Sequence, residues 1–175
     1  MKDYKTERVV ILTCSLDMGK SILLYRNELL RRSPIEIPEK WPSYSFRGIL
    51  PFYLEQIEGE NGTLKLWIVA DLSGKRMVAD LMMDEISSQP GQGYFEIKFI
   101  DREAESAFLK ECVLLFLQYI VVQYPKRLKA LFTLSMANES YRNSLLKDCG
   151  FQLYEDDGLF LTWKLDIPDK ENNNE

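Results

Sequence analysis

The sequence contains no histidine in its 175 residues. Without an imidazole, the chain cannot form a Ser-His-Asp or Cys-His catalytic group, an HExxH zinc site or a histidine-based pH switch. Cysteine is also scarce, because Cys14, Cys112 and Cys149 are odd in number and far apart. That spacing excludes a disulfide framework and a CxxC metal site. We expect reduced thiols, with Cys149 a small buried hydrophobe rather than a nucleophile.

The sequence also lacks a long apolar run and a basic patch. Its longest strongly apolar run, residues 112–122, is interrupted by Gln118 and is far shorter than the roughly 20 residues of a membrane span. The start, MKDYKTERVVIL, is charged and has no signal-peptide core. The formal net charge is −5, whereas nucleic-acid binding needs clustered Lys and Arg. These features predict a cytoplasmic protein that binds neither membrane nor nucleic acid.

Apolar residues, by contrast, are plentiful and make up 46% of the chain. Together with the length, this content is typical of one domain with one core. We predict a single domain over residues 1–167. The last segment, PDKENNNE (168–175), has no apolar residue except its proline and is predicted to be a disordered tail.

The spacing of the apolar residues predicts a mixed α/β fold. A strand–helix–strand crossover inside an otherwise antiparallel sheet gives the order β-α-α-β-β-β-α-β-α-β-β. Turn residues are expected at Ser73-Gly74 and Asp157-Gly158. Strands are predicted at 8–14, 63–71, 76–85, 94–100 and 129–136, with a final hairpin over 151–165, and helices at 15–33, 45–57, 102–123 and 138–150.

The predicted helix at 102–123 is apolar nearly all round. Phe108, Cys112 and Leu115 form one stripe, and Leu109 and Val113 widen it. Such a helix either lies on the sheet and is covered from outside, or it makes a contact between two copies of the chain in a homodimer.

Three segments, together with this order, resemble the GNAT family of acyl-CoA N-acyltransferases. ALFTLSMANESYRNSLLKDCGFQLY carries a terminal strand–helix–GF arrangement that ends at Gly150-Phe151. FEIKFID (95–101) resembles the family's fourth strand, which commonly reads EIGY in the bacterial branch that includes ribosomal-protein N-acetyltransferases. WPSYSFRGILPFYLEQI (41–57) resembles the helical insert of that branch. The resemblance covers residues 7–165.

The resemblance implies a mostly antiparallel sheet with splayed central strands, here 94–100 and 129–136. Family members seat acetyl-CoA in the V-shaped opening between those strands, and a small-molecule or peptide amine attacks the thioester directly. Backbone N–H groups at the start of the next helix hold the cofactor's pyrophosphate. The acetyl-CoA cofactor and the amine substrate are therefore expectations from the resemblance.

The turn that should hold the pyrophosphate departs from the family pattern, [R/Q]-x-x-G-x-[G/A]. It reads IDREAESAFL, and no glycine occurs between Gly93 and Gly150. The motif is therefore degenerate. The glycines of the family pattern let the backbone approach the phosphates closely, which only glycine allows. The positions that the resemblance assigns to the cofactor are Phe99, Ile100, Ala104, Glu105, Ser106, Ala107 and Asn138.

A plain structural explanation of the same residues stands beside that assignment. Asp101 can cap the helix, and Glu103 and Glu105 can stabilise its positive end by about 0.3–1 kcal/mol each. The same carboxylates would repel a phosphate. Asn138 can likewise be the N-cap of the helix that follows it.

The resemblance suggests two catalytic residues. In some GNAT enzymes a glutamate on the fourth strand takes the proton of the amine, and that role falls to Glu96. The alternative for Glu96 is a cross-strand ion pair or a solvated face, and a symmetric hairpin would place Asp80 opposite it. The family's tyrosine acid falls on Leu146, which leaves Tyr141 as its substitute.

Two functions follow from these observations. The first is transfer of an acetyl group from acetyl-CoA to an amine by a GNAT-like enzyme. The second is a catalytically silent GNAT-fold protein that binds a ligand or a protein partner, which the missing glycines and the acidic turn favour.

Overall fold

A computed structural model describes residues 4–59, 62–121 and 128–168. In this part of the chain no helix combines the length and the apolar character that crossing a membrane requires. The helices are α1 (Leu16–Leu24), α2 (Arg26–Arg32), α3 (Tyr44–Glu58), α4 (Arg102–Leu115), which continues as a π-helical turn (Phe116–Ile120), and α5 (Ser140–Asp148). The strands are β1 (Tyr4–Lys5), β2 (Val9–Thr13), β3 (Lys65–Asp71), β4 (Arg76–Glu85), β5 (Gln92–Phe99), β6 (Ala130–Met136), β7 (Gln152–Asp156) and β8 (Phe160–Asp166).

The strands form one mixed sheet in the order β1-β2-β3-β4-β5-β6-β8-β7. Antiparallel registers join β1 to β2, β2 to β3, β3 to β4, β6 to β8 and β7 to β8, whereas β5 and β6 are parallel. The predicted mixed α/β fold with a mostly antiparallel sheet is confirmed.

The elements differ from the predicted order in three places. A short strand, β1, precedes the first predicted strand, and the helix predicted at 15–33 is two helices. Tyr25, with φ −125° and ψ 36°, ends α1 and precedes α2. The helix predicted at 102–123 leaves α geometry at Phe116, and its last two positions lie outside the described residues.

The contacts of the chain group into two compact units. The first comprises residues 1–83 and 97–108, with α1 and α3 packed on one face of β2 and β3. Ser43 caps α3 by accepting a hydrogen bond from the Phe46 N–H. Apolar side chains from helices, loop and strands form its core, among them Val10, Cys14, Ile22, Trp41, Phe46, Leu50, Tyr53, Leu66, Ile68, Ala70 and Met77.

The second unit comprises residues 84–96 and 109–175. Phe95 of β5 stacks on Phe116 with ring centroids 4.9 Å apart and lies 5.8 Å from the ring of Phe151. Gly150 ends α5 at φ 91°, and its N–H donates to the Lys147 carbonyl, as expected for a glycine helix stop. Strand β7 lies at the end of the sheet and is exposed at all five residues.

Of the predicted tail at 168–175, all but Pro168 lies outside the described residues.

Candidate functional site

The parallel pairing of β5 and β6 is short. Its register runs from Gln92 opposite Ala130 to Tyr94 opposite Phe132 and ends there. Strand β6 continues to Met136 in register with β8. Among the described residues of the second unit, the β5–β6 register is therefore confined to the first residues of the two strands, as the resemblance implied for the central strands.

Tyr94 and Glu96 lie where that register ends. Their side chains lie on the side of β5 opposite that of the buried Phe95. Burial, and then the charge of Glu96, raise the pKa of Tyr94 from 10.0 to about 12, while Arg142 of α5 opposes the rise. These three side chains are thus close enough to affect one another, and the phenol of Tyr94 stays protonated at neutral pH.

The two residues predicted to be catalytic lie in different surroundings. Glu96 is half-buried on β5, beside the phenol of Tyr94. Tyr141 lies in the first turn of α5 with 49% of its surface exposed. Sequence reasoning did not single out Tyr94, although strand alternation places it on the same side as Glu96. It gave no signal for Arg142, whose position depends on tertiary packing.

Asp80 does not lie opposite Glu96. The Ile100 N–H donates to the Val78 carbonyl at 3.0 Å, and antiparallel pairing two residues further along β4 places Asp80 beside Lys98. Asp80 is only 4% exposed. Its carboxylate accepts hydrogen bonds from the N–H and the hydroxyl of Ser43, at 2.6 and 2.8 Å, so it supports the start of α3.

A chain of hydrogen bonds attaches the start of α5 to β6 and β8. The Trp163 Nε1–H donates to the Ser135 hydroxyl at 2.8 Å, and that hydroxyl donates to the Asn143 Oδ1. Asn143 Nδ2 then donates to the carbonyl of Met136 at 3.1 Å. This chain fixes the helical turn that carries Tyr141 and Arg142.

Asn138 is not the helix cap that was offered as an alternative. It is exposed in the turn before α5, and the N-cap position is Glu139. The Glu139 Oε2 accepts a hydrogen bond from the Met136 N–H at 2.9 Å. Glu139 has a non-helical conformation, φ −84° and ψ 63°. Asn138 precedes this N-cap residue and therefore lies outside the helix.

The start of α4, in the first unit, is capped by its own chain. Asp101 Oδ1 accepts from the Ala104 N–H at 2.8 Å, and the Asp101 carbonyl accepts from the Glu105 N–H at 3.1 Å. Glu103 and Glu105 lie in the first turn. The Ala104 N–H, one of the donors that the helix start would otherwise offer to a pyrophosphate, is therefore already hydrogen-bonded, as the capping explanation predicts.

The remaining assigned cofactor positions surround that turn. Phe99 and Ile100 are half-buried, and the Ile100 N–H is used by β4. Ser106 and Ala107 are exposed, and the Ala107 carbonyl accepts from the Arg8 guanidinium at 3.0 Å. The capped and acidic turn therefore does not fit a pyrophosphate.

The three cysteines are free thiols; Cys14 and Cys112 are buried, whereas Cys149, which was expected to be buried, is half-buried at the end of α5. Burial raises the pKa of Cys14 to about 12. Burial, and then Asp148, also raise the pKa of Cys149, with Lys110 opposing them. A thiol with a raised pKa is a poor nucleophile at neutral pH, because the thiolate is the reactive form.

Comparison with solved structures identifies the fold. Neither a family model nor a curated protein sequence matches the chain. The ribosomal-protein-S5-alanine acetyltransferase from Vibrio fischeri matches with a TM-score of 0.65 and 11% identity, over 98% of each chain. The RimL ribosomal alpha-N-protein acetyltransferase in complex with coenzyme A matches with a TM-score of 0.60 and 12% identity, over 95% of this chain and 98% of its own.

A third match is the Campylobacter jejuni N-acetyltransferase PseH in complex with acetyl coenzyme A. It has a TM-score of 0.55 and 10% identity, over 91% of this chain and 99% of its own. All three are acetyltransferases, and each covers nearly the whole of the chain. At these identities the likeness concerns the course of the backbone. The chain therefore has the fold of the GNAT acetyltransferases.

Proposed function

We propose that this protein transfers an acetyl group from acetyl-CoA to a primary amine. The observation that carries the proposal is the end of the β5–β6 register at Tyr94 and Phe132, with Glu96 and a protonated Tyr94 beside it. Acetyl-CoA would supply the acetyl group as a thioester. The matched acetyltransferases, two of them with acetyl-CoA or coenzyme A bound, support this assignment.

In this proposal Glu96 is the general base and accepts a proton from the attacking amine, directly or through one water molecule. The amide C–N bond would form as the thioester C–S bond breaks, and the released thiolate would take a proton from solvent. Tyr94, whose pKa is raised to about 12, keeps its proton and donates a hydrogen bond in the opening. Tyr141 is an alternative donor from α5. Most of the rate enhancement would come from positioning, since an amine attacks a thioester without a covalent enzyme intermediate.

A second function is favoured by the cap of α4. The Ala104 N–H already donates a hydrogen bond to Asp101, and two glutamates lie in the same turn. The diphosphate of coenzyme A would therefore gain little binding free energy from this turn. The alternative is a catalytically silent protein of the same fold that binds a ligand or a protein partner.

Thermal unfolding with three ligands separates these functions. Acetyl-CoA at a hundred times its Kd would add about 2.7 kcal/mol to the free energy of unfolding, a rise in Tm of several degrees. S-acetyl-pantetheine lacks the diphosphate and should shift Tm nearly as much at equal saturation, and ADP should not shift it. No shift with millimolar acetyl-CoA or acetyl-pantetheine would refute the acetyltransferase proposal.

The role of Glu96 is tested by turnover. Amine acetylation can be followed as thiol release, and Glu96→Gln should lower kcat by about a hundredfold or more with little change in acetyl-CoA affinity. Glu55→Gln, an exposed change on α3, is the matched control and should retain full activity. If Glu96→Gln turns over normally, Glu96 is not the base. Acetyl-CoA binding without turnover for any amine would support the silent function.

A further inference from the structure

A cavity of about 650 Å³ lies in the first unit. Its floor is the apolar side of β2 and β3, and its walls come from α1, α2 and the segment after α2. The volume is within the usual 300–1,000 Å³ of small-molecule sites. It is lined by Val10, Leu12, Met18, Leu29, Arg32, Ser33, Pro34, Ile35, Ala70, Asp71, Leu72, Lys75 and Met77.

The cavity exists because two elements leave space over the sheet. Ala70 pairs with Val10 on one side and Met77 on the other, so a single methyl group stands in the middle of the floor. Helix α2 contributes no buried residue, and its Leu29 is only half-buried. An apolar side chain or ligand atom placed here would be removed from water on most sides.

The charged groups of this cavity favour an anion. Among the described residues that line it, Arg32 and Lys75 are the cations and Asp71 is the carboxylate. The Asp71 Oδ1 already accepts hydrogen bonds from the N–H groups of Ser73 and Gly74, at 2.9 and 3.0 Å. That carboxylate is therefore engaged in the β3–β4 turn.

Arg32 and Lys75 can pair with a bound anion at a small cost in free energy. Arg32 is paired with Glu28 at 2.7 Å, one helical turn earlier, but 79% of its side chain is exposed, and exposed pairs of this kind contribute little. The backbone of Lys75 is fixed, because its carbonyl accepts from the Glu36 N–H at 2.7 Å. Because Arg32 and Lys75 line the same cavity, a carboxylate held there would lie near both cations.

We infer that this cavity binds an amphipathic anion, namely a fatty carboxylate. Its alkyl chain would lie among the apolar residues of β2, β3 and α2, and its carboxylate would lie between Arg32 and Lys75. Burial of alkyl groups would drive binding, and the two cations would select the head group. This site is independent of acetyl transfer, so either proposal can fail without the other.

Calorimetric titration of the full chain tests this inference with octanoate, decanoate and dodecanoate below their micelle concentrations. Each added methylene should tighten binding about fourfold until the cavity is full. Decanol and decyltrimethylammonium, with the same chain but a neutral or positive head, should bind at least tenfold more weakly than decanoate. Equal binding of all three heads, or no binding, would overturn the inference.

Matched variants locate the site. Leu29→Trp should fill the cavity and abolish decanoate binding, whereas Leu30→Trp, on the exposed side of the same helix, should leave it unchanged. Arg32→Gln with Lys75→Gln should weaken decanoate about tenfold and should not affect decanol. Arg31→Gln, next to Arg32 but outside the lining, is the control for charge. If Leu29→Trp does not fold, the charge variants decide, and unchanged decanoate affinity in them would overturn the inference.

Discussion

Asp101 and Ala104 are joined by a hydrogen bond of 2.8 Å from the Ala104 N–H to the Asp101 carboxylate. This bond uses a donor at the helix start that a phosphate would otherwise attract. The helix thereby gains a cap from its own chain, and the turn gains a negative charge at the same point.

Replacement of Asp101 measures the value of that cap. Asp101→Ala should lower the free energy of unfolding by about 1 kcal/mol, because the Ala104 N–H loses its acceptor. Asp101→Ser should retain most of the stability, since a serine hydroxyl can accept the same hydrogen bond. Urea unfolding of the three proteins gives the comparison, and equal stabilities for Ala and Asp would show that the cap contributes nothing.

Removal of the acids in the α4 turn should improve coenzyme A binding. Glu103→Gln with Glu105→Gln takes two charges from the positive end of the helix, and each is worth about 0.3–1 kcal/mol to an anion there. The affinity for coenzyme A should rise about two- to fivefold per substitution at low salt, and less at high salt. Glu55→Gln removes one charge elsewhere and should change nothing. If Glu103→Gln and Glu105→Gln leave the affinity for coenzyme A unchanged, the diphosphate does not bind at this turn.

Tyr94 should make stability depend on alkaline pH. Its pKa in the folded protein is about 12, against 10.0 ordinarily, so ionisation favours the unfolded chain. The stability that Tyr94 gives is complete below about pH 10 and is lost between about pH 10 and 12. Urea unfolding at pH 9 and 11 should show a smaller loss for Tyr94→Phe than for the natural chain.

The ultraviolet titration of tyrosine provides a second measurement of the same group. Tyrosinate absorbance near 295 nm should include one residue that ionises close to pH 12 in the natural chain and is absent in Tyr94→Phe. A full titration of every tyrosine by pH 11 in the natural chain would contradict the burial of this phenol.

Ser135 and Trp163 should behave as a coupled pair. Ser135→Ala leaves the buried Trp163 N–H without its acceptor, at a cost of about 1–3 kcal/mol. In a Trp163→Phe background the same substitution should cost less, because the donor is gone. Chemical unfolding of the four proteins forms the double-mutant cycle. Additive costs would show that this hydrogen bond contributes no net stability.

The parts of the fold that sequence predicts best are those fixed by local backbone chemistry. The helix stop at Gly150 and the hairpin turn at Gly158 both have positive φ, 91° and 87°, which glycine adopts at little cost. The break at Tyr25 was missed for the opposite reason. Apolar residues continue at helical spacing through it, so periodicity alone predicts one helix where the structure has two.

In the candidate site, too, some features follow from local sequence and others depend on tertiary contacts. The side of β5 on which Glu96 lies follows from strand alternation, and the cap by Asp101 follows from residue type and position. The bonds among Ser135, Asn143 and Trp163 join residues from three elements, and no local rule brings them together. Those bonds hold the first turn of α5, which carries Arg142.

Strand β7 ends the sheet and is exposed along its length. Its backbone groups could template the addition of a strand from another molecule. Glu155 and Asp156 occupy its last two positions, so two such borders repel each other at neutral pH. Neutral side chains at these two positions would remove that repulsion, and this border of the sheet would then be open to strand addition between copies of the chain.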